Sequence, residues 1–128
     1  MNEDPRIIKL RKTREEARLG GGPERIATQH AKGKLTARER LDILLDPFTF
    51  NELEPFISQP EDGMGSASEK FLGDGVVTGY GQIDGRTVYV YAQDFTVFGG
   101  TLSEMQSKKI CRVMDLAMRN GAPIIGLI

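Results

Sequence analysis

Two strand-forming runs, Val76–Ile83 and Thr87–Ala92, lie close together around the dipeptide Asp84-Gly85. Asp-Gly in that place suits a two-residue type I′ turn, because both central residues of that turn need positive φ. The pattern predicts a hairpin. In its second strand Val88, Val90 and Ala92 point one way and Tyr89 and Tyr91 the other. A strand apolar on both sides must be central in its sheet and covered on both faces. Past Phe95–Phe98 the chain reaches Gly99-Gly100 and then a helix start. Thr101-Leu-Ser-Glu104 and Ser103-Glu-Met-Gln106 each have capping-box spacing. Ile110, Val113, Met114 and Ala117 form the expected buried stripe of this helix, and Gly121 ends it. Ala122–Ile128 then begins another apolar strand. Strand, glycine turn, helix and strand make a βαβ unit with a right-handed crossover. The last strand runs on with no turn residue or polar tail, which is expected of the N-terminal piece of a longer chain.

Ahead of the hairpin the pattern is helical. Asp4 can cap a helix over Asp4–Leu19 with Pro5 at its first position, and Ile7, Leu10, Arg14 and Ala17 share one side of it. This helix should be amphipathic and face solvent. Gly20-Gly21-Gly22 ends it, and Pro23 opens a second helix that runs from Glu24 to about Ala31. A third starts at the capping box Thr36-Ala-Arg-Glu39, buries Leu41, Leu44 and Leu45, and closes at Asp46-Pro47. Phe48–Ile57 reads as an extended segment, and the Gly-, Ser-, Pro- and acid-rich stretch from Ser58 to Gly75 reads as a loop. The chain thus divides into a helical segment, 1–47, and an α/β segment, 48–128.

At 128 residues there is room for one ordinary domain. No stretch reaches the roughly 18 apolar residues of a spanning helix, and the opening MNEDPRIIKLRK lacks the apolar core of a secretory signal, so a cytoplasmic location is expected. With one cysteine, Cys111, and one histidine, His30, neither an intrachain disulfide nor a zinc cluster can form. Cys111, inside a helix, reads as a small core residue, and His30 as structural. The net charge of −1 conceals a division: residues 1–40 carry eleven Lys/Arg against six Asp/Glu, and residues 41–75 carry one against eight. The basic end either meets an anion or attracts the acidic segment of its own fold. It has no interleaved aromatics, so no stacking platform for nucleic acid is expected.

Two motifs fail on inspection. Gly73-Asp-Gly75-Val-Val-Thr-Gly79 misses dinucleotide spacing by one residue and precedes a strand, and Gly33-Lys34-Leu35-Thr36 puts Leu where a phosphate loop needs Ser or Thr. Gly99-Gly100 is more informative. Free backbone N–H groups between a strand and a helix N-terminus suit a phosphate or a developing oxyanion. On the residues alone, a tight turn that needs glycine only for φ or close packing is the favoured reading.

The run His30-Ala-Lys32-Gly-Lys34-Leu-Thr-Ala-Arg38-Glu-Arg40-Leu41 with Leu44-Leu45-Asp46-Pro47, followed by Gly73–Gly79 and Gln93-Asp-Phe-Thr-Val-Phe-Gly-Gly100, resembles the N-terminal part of carboxyltransferase (beta) subunits of biotin-dependent acyl-CoA carboxylases, of the propionyl-CoA carboxylase type. The three motifs stand in the same order. The carboxyltransferases of sodium-pumping acyl-CoA decarboxylases are similar over this stretch, and a non-enzymatic assembly scaffold is a third reading.

The resemblance implies a crotonase-like α/β fold, a superhelix of ββα units preceded by short helices, with acyl-CoA bound in this half. It also implies a reaction in which carboxybiotin releases carbon dioxide, the biotin ureido anion takes the α-proton of the acyl-CoA, and the enolate attacks the carbon dioxide. Backbone amides stabilise the enolate, so no protein nucleophile, catalytic side chain or metal is implied. Gly99 and Gly100 would line the acyl-CoA pocket, and Lys32, Lys34 and Arg38, with Arg40, would meet CoA phosphates. No cofactor is expected on this chain. Biotin would come on a carrier, and the expected partners are the biotin carboxyl carrier, a biotin carboxylase subunit and further copies of the chain. The piece alone should not catalyse carboxylation.

Overall fold

The computed structural model describes residues 3–58, 72–97 and 103–128. Three helices come first: α1 (Pro5–Arg18), α2 (Pro23–Ala31) and α3 (Ala37–Leu44). Asp4 caps α1 by accepting from Arg6 N at 2.8 Å, with Pro5 in the first turn. Both halves of the α3 capping box form: Glu39 N donates to Thr36 Oγ1 at 3.2 Å, and Thr36 N donates to Glu39 Oε1 at 3.3 Å.

The strands β1 (Asn51–Leu53), β2 (Val76–Ile83), β3 (Arg86–Gln93) and β4 (Ile124–Leu127) form one sheet in the order β1-β2-β3-β4. The first three are antiparallel, whereas β4 is parallel to β3 and is reached through α4 (Glu104–Asn120). The expected hairpin is present, with Ile83 opposite Arg86 and both turn residues left-handed, Asp84 at φ 50° and Gly85 at 77°. Its turn is closed from outside. The Asp46 carboxylate after α3 accepts from Asp84 N at 3.0 Å and Gly85 N at 2.9 Å.

As expected for a central strand, β3 is covered on both faces. Ala37, Leu41 and Leu45 pack on Val77, Val88, Val90 and Ala92 on one side. Tyr89, Val113 and Ala117 pack together on the other. Helices α3 and α4 therefore share the same sheet as their core.

The structure corrects three expectations. The buried stripe of α4 is Gln106, Lys109, Val113 and Ala117, whereas Met114 is 39% exposed. The helix is rotated toward a turn that needs polar partners, described below. Cys111 consequently lies on the exposed side of α4 and is not a core residue. Only Asn51–Leu53 of the extended segment pairs as a strand, since Phe48 and Glu54 have φ of 61° and 52° and break the extended backbone at both ends. Helix α1 is solvent-facing as expected, and Ala17 alone is buried. Among the described residues no helix is long and apolar enough to cross a membrane.

The glycine triplet does more than end α1. Gly21 N donates to Thr96 Oγ1 at 2.9 Å, and a Cβ on Gly21 would lie 1.8 Å from Thr96 O. Only glycine lets the α1–α2 turn rest on the backbone that follows β3. Gly21→Ala is expected to lower unfolding free energy by about 3 kcal/mol in urea denaturation, because a backbone atom cannot move aside as a side chain can.

Candidate functional site

The chain leaves β3 and enters α4 at a corner whose two sides are fixed by Gly73-Asp74-Gly75. These three residues all have positive φ, at 85°, 53° and 80°. Gly73 N donates to Ile57 O at 2.7 Å. On the β3 side Asp94 N donates to Gly75 O at 2.8 Å. The Asp94 carboxylate then accepts from both Thr96 N, at 2.9 Å, and Thr96 Oγ1, at 2.5 Å. On the helix side Ser103, the N-cap of α4, accepts from Gln106 N at 3.1 Å and donates through its hydroxyl to the Asp74 carboxylate, which is 1% exposed. A Cβ on Gly75 would sit 2.6 Å from Gln106 Nε2 and 3.1 Å from Val97 Cγ1. Both the backbone angle and the space at Gly75 require glycine.

Lys109 locks this turn. Its side chain has no exposed surface, and Nζ donates to Gly73 O at 2.9 Å and Val76 O at 2.6 Å. Burial pushes the Lys109 ammonium down to about 8, against the upward pull of Glu52, Glu54 and Asp74, while Arg38 adds to the fall. Sequence reasoning missed Lys109, Gln106 and Asp74. The stripe Gln106, Lys109, Val113, Ala117 has ordinary helical spacing, but two polar residue types conceal it from a reading based on hydrophobicity.

The corner therefore places the start of α4, the positive end of the helix, near the C-terminal end of β3. In open α/β sheets ligands bind at such strand ends. Gly99 and Gly100 lie outside the described residues, and Val97 and Ser103 are the described residues on either side of them.

The basic residues divide. Lys32 and Lys34 are exposed where α2 ends, and neither has an ion-pair partner among the described residues. Arg38 faces inward. Its guanidinium makes two bonds to Glu52, at 2.6 and 2.8 Å, and one to Ala17 O at 3.2 Å, so it ties α3 to β1 and to the end of α1. This is the attraction between basic and acidic segments that the charge division left open. Arg40 is half-buried. His30 Nε2 is 2.6 Å from Glu39 Oε1, which joins α2 to α3, and this hydrogen bond holds the Glu39 carboxyl below its usual range.

The sequence pattern of the carboxyl transferase domain matches residues 28–128. The chain belongs to the carboxyl transferase domain family. It is 56% identical over 127 residues to the propionyl-CoA carboxylase carboxyltransferase subunit of Haloferax mediterranei, covering 99% of this chain and 25% of that relative. It is 53% identical over 121 residues to the mitochondrial propionyl-CoA carboxylase beta chain of Homo sapiens, covering 93% and 22%. Among solved structures, transcarboxylase 12S, a hexamer seen with methylmalonyl-coenzyme A and methylmalonic acid bound, superimposes with a TM-score of 0.90 at 40% identity over 98% of this chain and 25% of that one. A single-chain, multi-domain long-chain acyl-CoA carboxylase gives 0.85 at 26% identity, covering 97% and 14%. The fold is the crotonase-like α/β fold expected from the sequence. The chain spans about a quarter of the length of the curated carboxyltransferases it matches.

Lys109 makes stability depend on pH in a direction opposite to most lysines. Its folded pKa, about 8, lies below the ordinary lysine value of 10.5, so between these values the unfolded chain binds more protons and the folded state gains as pH rises. The gain attributable to Lys109 should approach on the order of 3 kcal/mol above pH 10.5. Urea denaturation of the unaltered chain and of Lys109→Met at pH 7.5 and pH 10 checks this: the difference between them should shift in favour of the unaltered chain at the higher pH.

Proposed function

We propose that the chain provides the acyl-CoA part of a carboxyltransferase that moves a carboxyl group from carboxybiotin to the α-carbon of a short-chain acyl-CoA such as propionyl-CoA. The carrying observation is identity above one half to propionyl-CoA carboxylase subunits over nearly the whole chain. In this reading it works in the cytoplasm within a homo-oligomer, beside a biotin carboxyl carrier and a biotin carboxylase subunit.

Biotin supplies the activated carboxyl group and the base. In this reading biotin comes on a carrier and is not held by this chain. A cleft of about 750 Å³ is lined by Leu41, Leu45, Phe50 and the Arg38–Glu52 pair.

What the chain contributes is placement. In this reading Gly99 and Gly100, which lie outside the described residues, line the acyl-CoA pocket. Asp74, Ser103 and Lys109 hold the corner between the described residues on either side of them. Lys32 and Lys34, exposed and unpaired among the described residues, take the CoA phosphates as point charges. Arg38, bound to Glu52, supports them through α3 rather than by reaching the ligand.

Calorimetric titration with propionyl-CoA and with free CoA tests the reading. Gly99→Val should abolish acyl-CoA binding while circular dichroism stays native, and Lys34→Ala should weaken both ligands by about 1 kcal/mol. Failure of the folded, unaltered chain to bind either ligand would overturn the assignment of the acyl-CoA site to this segment.

A further inference from the structure

Helix α4 meets the turn at residues 73–76 at two separate points. Its N-cap Ser103 rests on the Asp74 carboxylate, and further along the helix Lys109 Nζ donates to Gly73 O at 2.9 Å and to Val76 O at 2.6 Å. The interval from Ser103 to Lys109 is about 9 Å of helix, so one short turn grips the helix at its end and on its flank. A slip of one residue would swing Lys109 through about 100° and take it from both carbonyls. The two contacts together fix the height and the rotation of the helix.

The chemistry at Nζ is that of a hydrogen-bond donor rather than a counter-ion. Among the described residues Lys109 forms no ion pair. The charged groups that face it are Glu52 of β1, Glu54 just after β1, Asp74 of the turn, Arg38 of α3 and Arg112 of α4. Each acid among them is already bound elsewhere: Glu52 to Arg38, Glu54 to Arg112 and Asp74 to Ser103. What reaches Nζ among the described residues is two carbonyl oxygens. A neutral amine has two N–H groups and satisfies both, whereas an ammonium brings a third donor. Burial of the side chain favours the neutral form in the same direction.

We propose that Lys109 is a positioning residue for the acyl-CoA site, a role that rests on the reading above, and that it acts through its two N–H donors and not through its charge. It touches no ligand. By tying α4 to the turn it sets where the start of the helix stands against the end of β3, and a displacement of about 1 Å at such a place is enough to weaken a site. The lock therefore survives loss of the proton and fails when the donors are removed.

Amide hydrogen exchange and calorimetric titration with propionyl-CoA, each at pH 7 and pH 9, test this on the unaltered chain and on Lys109→Met. With a pKa of about 8, about nine tenths of Lys109 is neutral at pH 9, while exposed lysines keep their charge. In the unaltered chain the amides of Asp94 and Gln106, bonded to Gly75 O and Ser103 Oγ, should be no less protected at pH 9 than at pH 7, and affinity should stay within about twofold. Lys109→Met should lower that protection and weaken propionyl-CoA by at least about tenfold at both pH values, while amides in the middle of β3 keep their protection. Protection or affinity that falls tenfold in the unaltered chain as pH rises would assign the lock to the charge and overturn the proposal. A folded Lys109→Met with the protection and affinity of the unaltered chain would also overturn it. Should Lys109→Met not fold, the two pH values in the unaltered chain decide alone. An unaltered chain that binds no propionyl-CoA overturns the acyl-CoA reading and the positioning of its site, and the exchange measurements then decide separately whether the two donors hold the corner.

Discussion

The ammonium of Lys109, sealed from water and bonded to the carbonyls of Gly73 and Val76, is the interaction on which the arrangement of the corner depends. A buried charge is costly unless its donors are met, so α4 can sit on the sheet only where both carbonyls reach it. That requirement fixes the rotation of the helix. Val113 and Ala117 then fall on the sheet, Cys111 and Met118 fall outside, and Ser103 comes to rest on Asp74. An all-apolar stripe would leave the helix freer to slide and turn.

The same turn connects regions far apart in sequence. Through Gly73 it reaches Ile57, through Gly75 it reaches Asp94, and through Thr96 that segment meets the Gly20–Gly22 turn. The end of α1, the strand β3 and the start of α4 are thus registered by backbone contacts that admit no larger residue at Gly21 or Gly75. Glycines that look like simple punctuation in the sequence are points where two main chains meet.

That distinction decides what could be read from residues alone. The hairpin, the capping box at Thr36, the proline-led helix starts and the two-faced β3 were legible because each depends on neighbours a few positions away. The extent of β1 was not, since the left-handed angles at Phe48 and Glu54 belong to residue types that rarely adopt them. Nor was the inward turn of Arg38, whose partners Glu52 and Ala17 are set by tertiary packing. Lys109 was the hardest to find. Its spacing was correct for the core, but its chemistry made sense only beside carbonyls contributed by a turn more than thirty residues earlier. The strand-to-helix corner was legible in the sequence, while the polar lock that supports it was not, and Gly99 and Gly100 lie outside the described residues.

Strand β3 lies between β2 and β4 with helices on both faces. Local unfolding therefore has to proceed from the rims. β1, three residues long, and β4, with its outer side unpaired among the described strands, can separate one ladder at a time. Releasing β3 means parting two ladders and lifting off α3 and α4 together, which amounts to unfolding the whole unit. The end of β3 next to the β3–α4 corner thus belongs to the last part of the molecule to open, so brief excursions at the edges leave its geometry undisturbed.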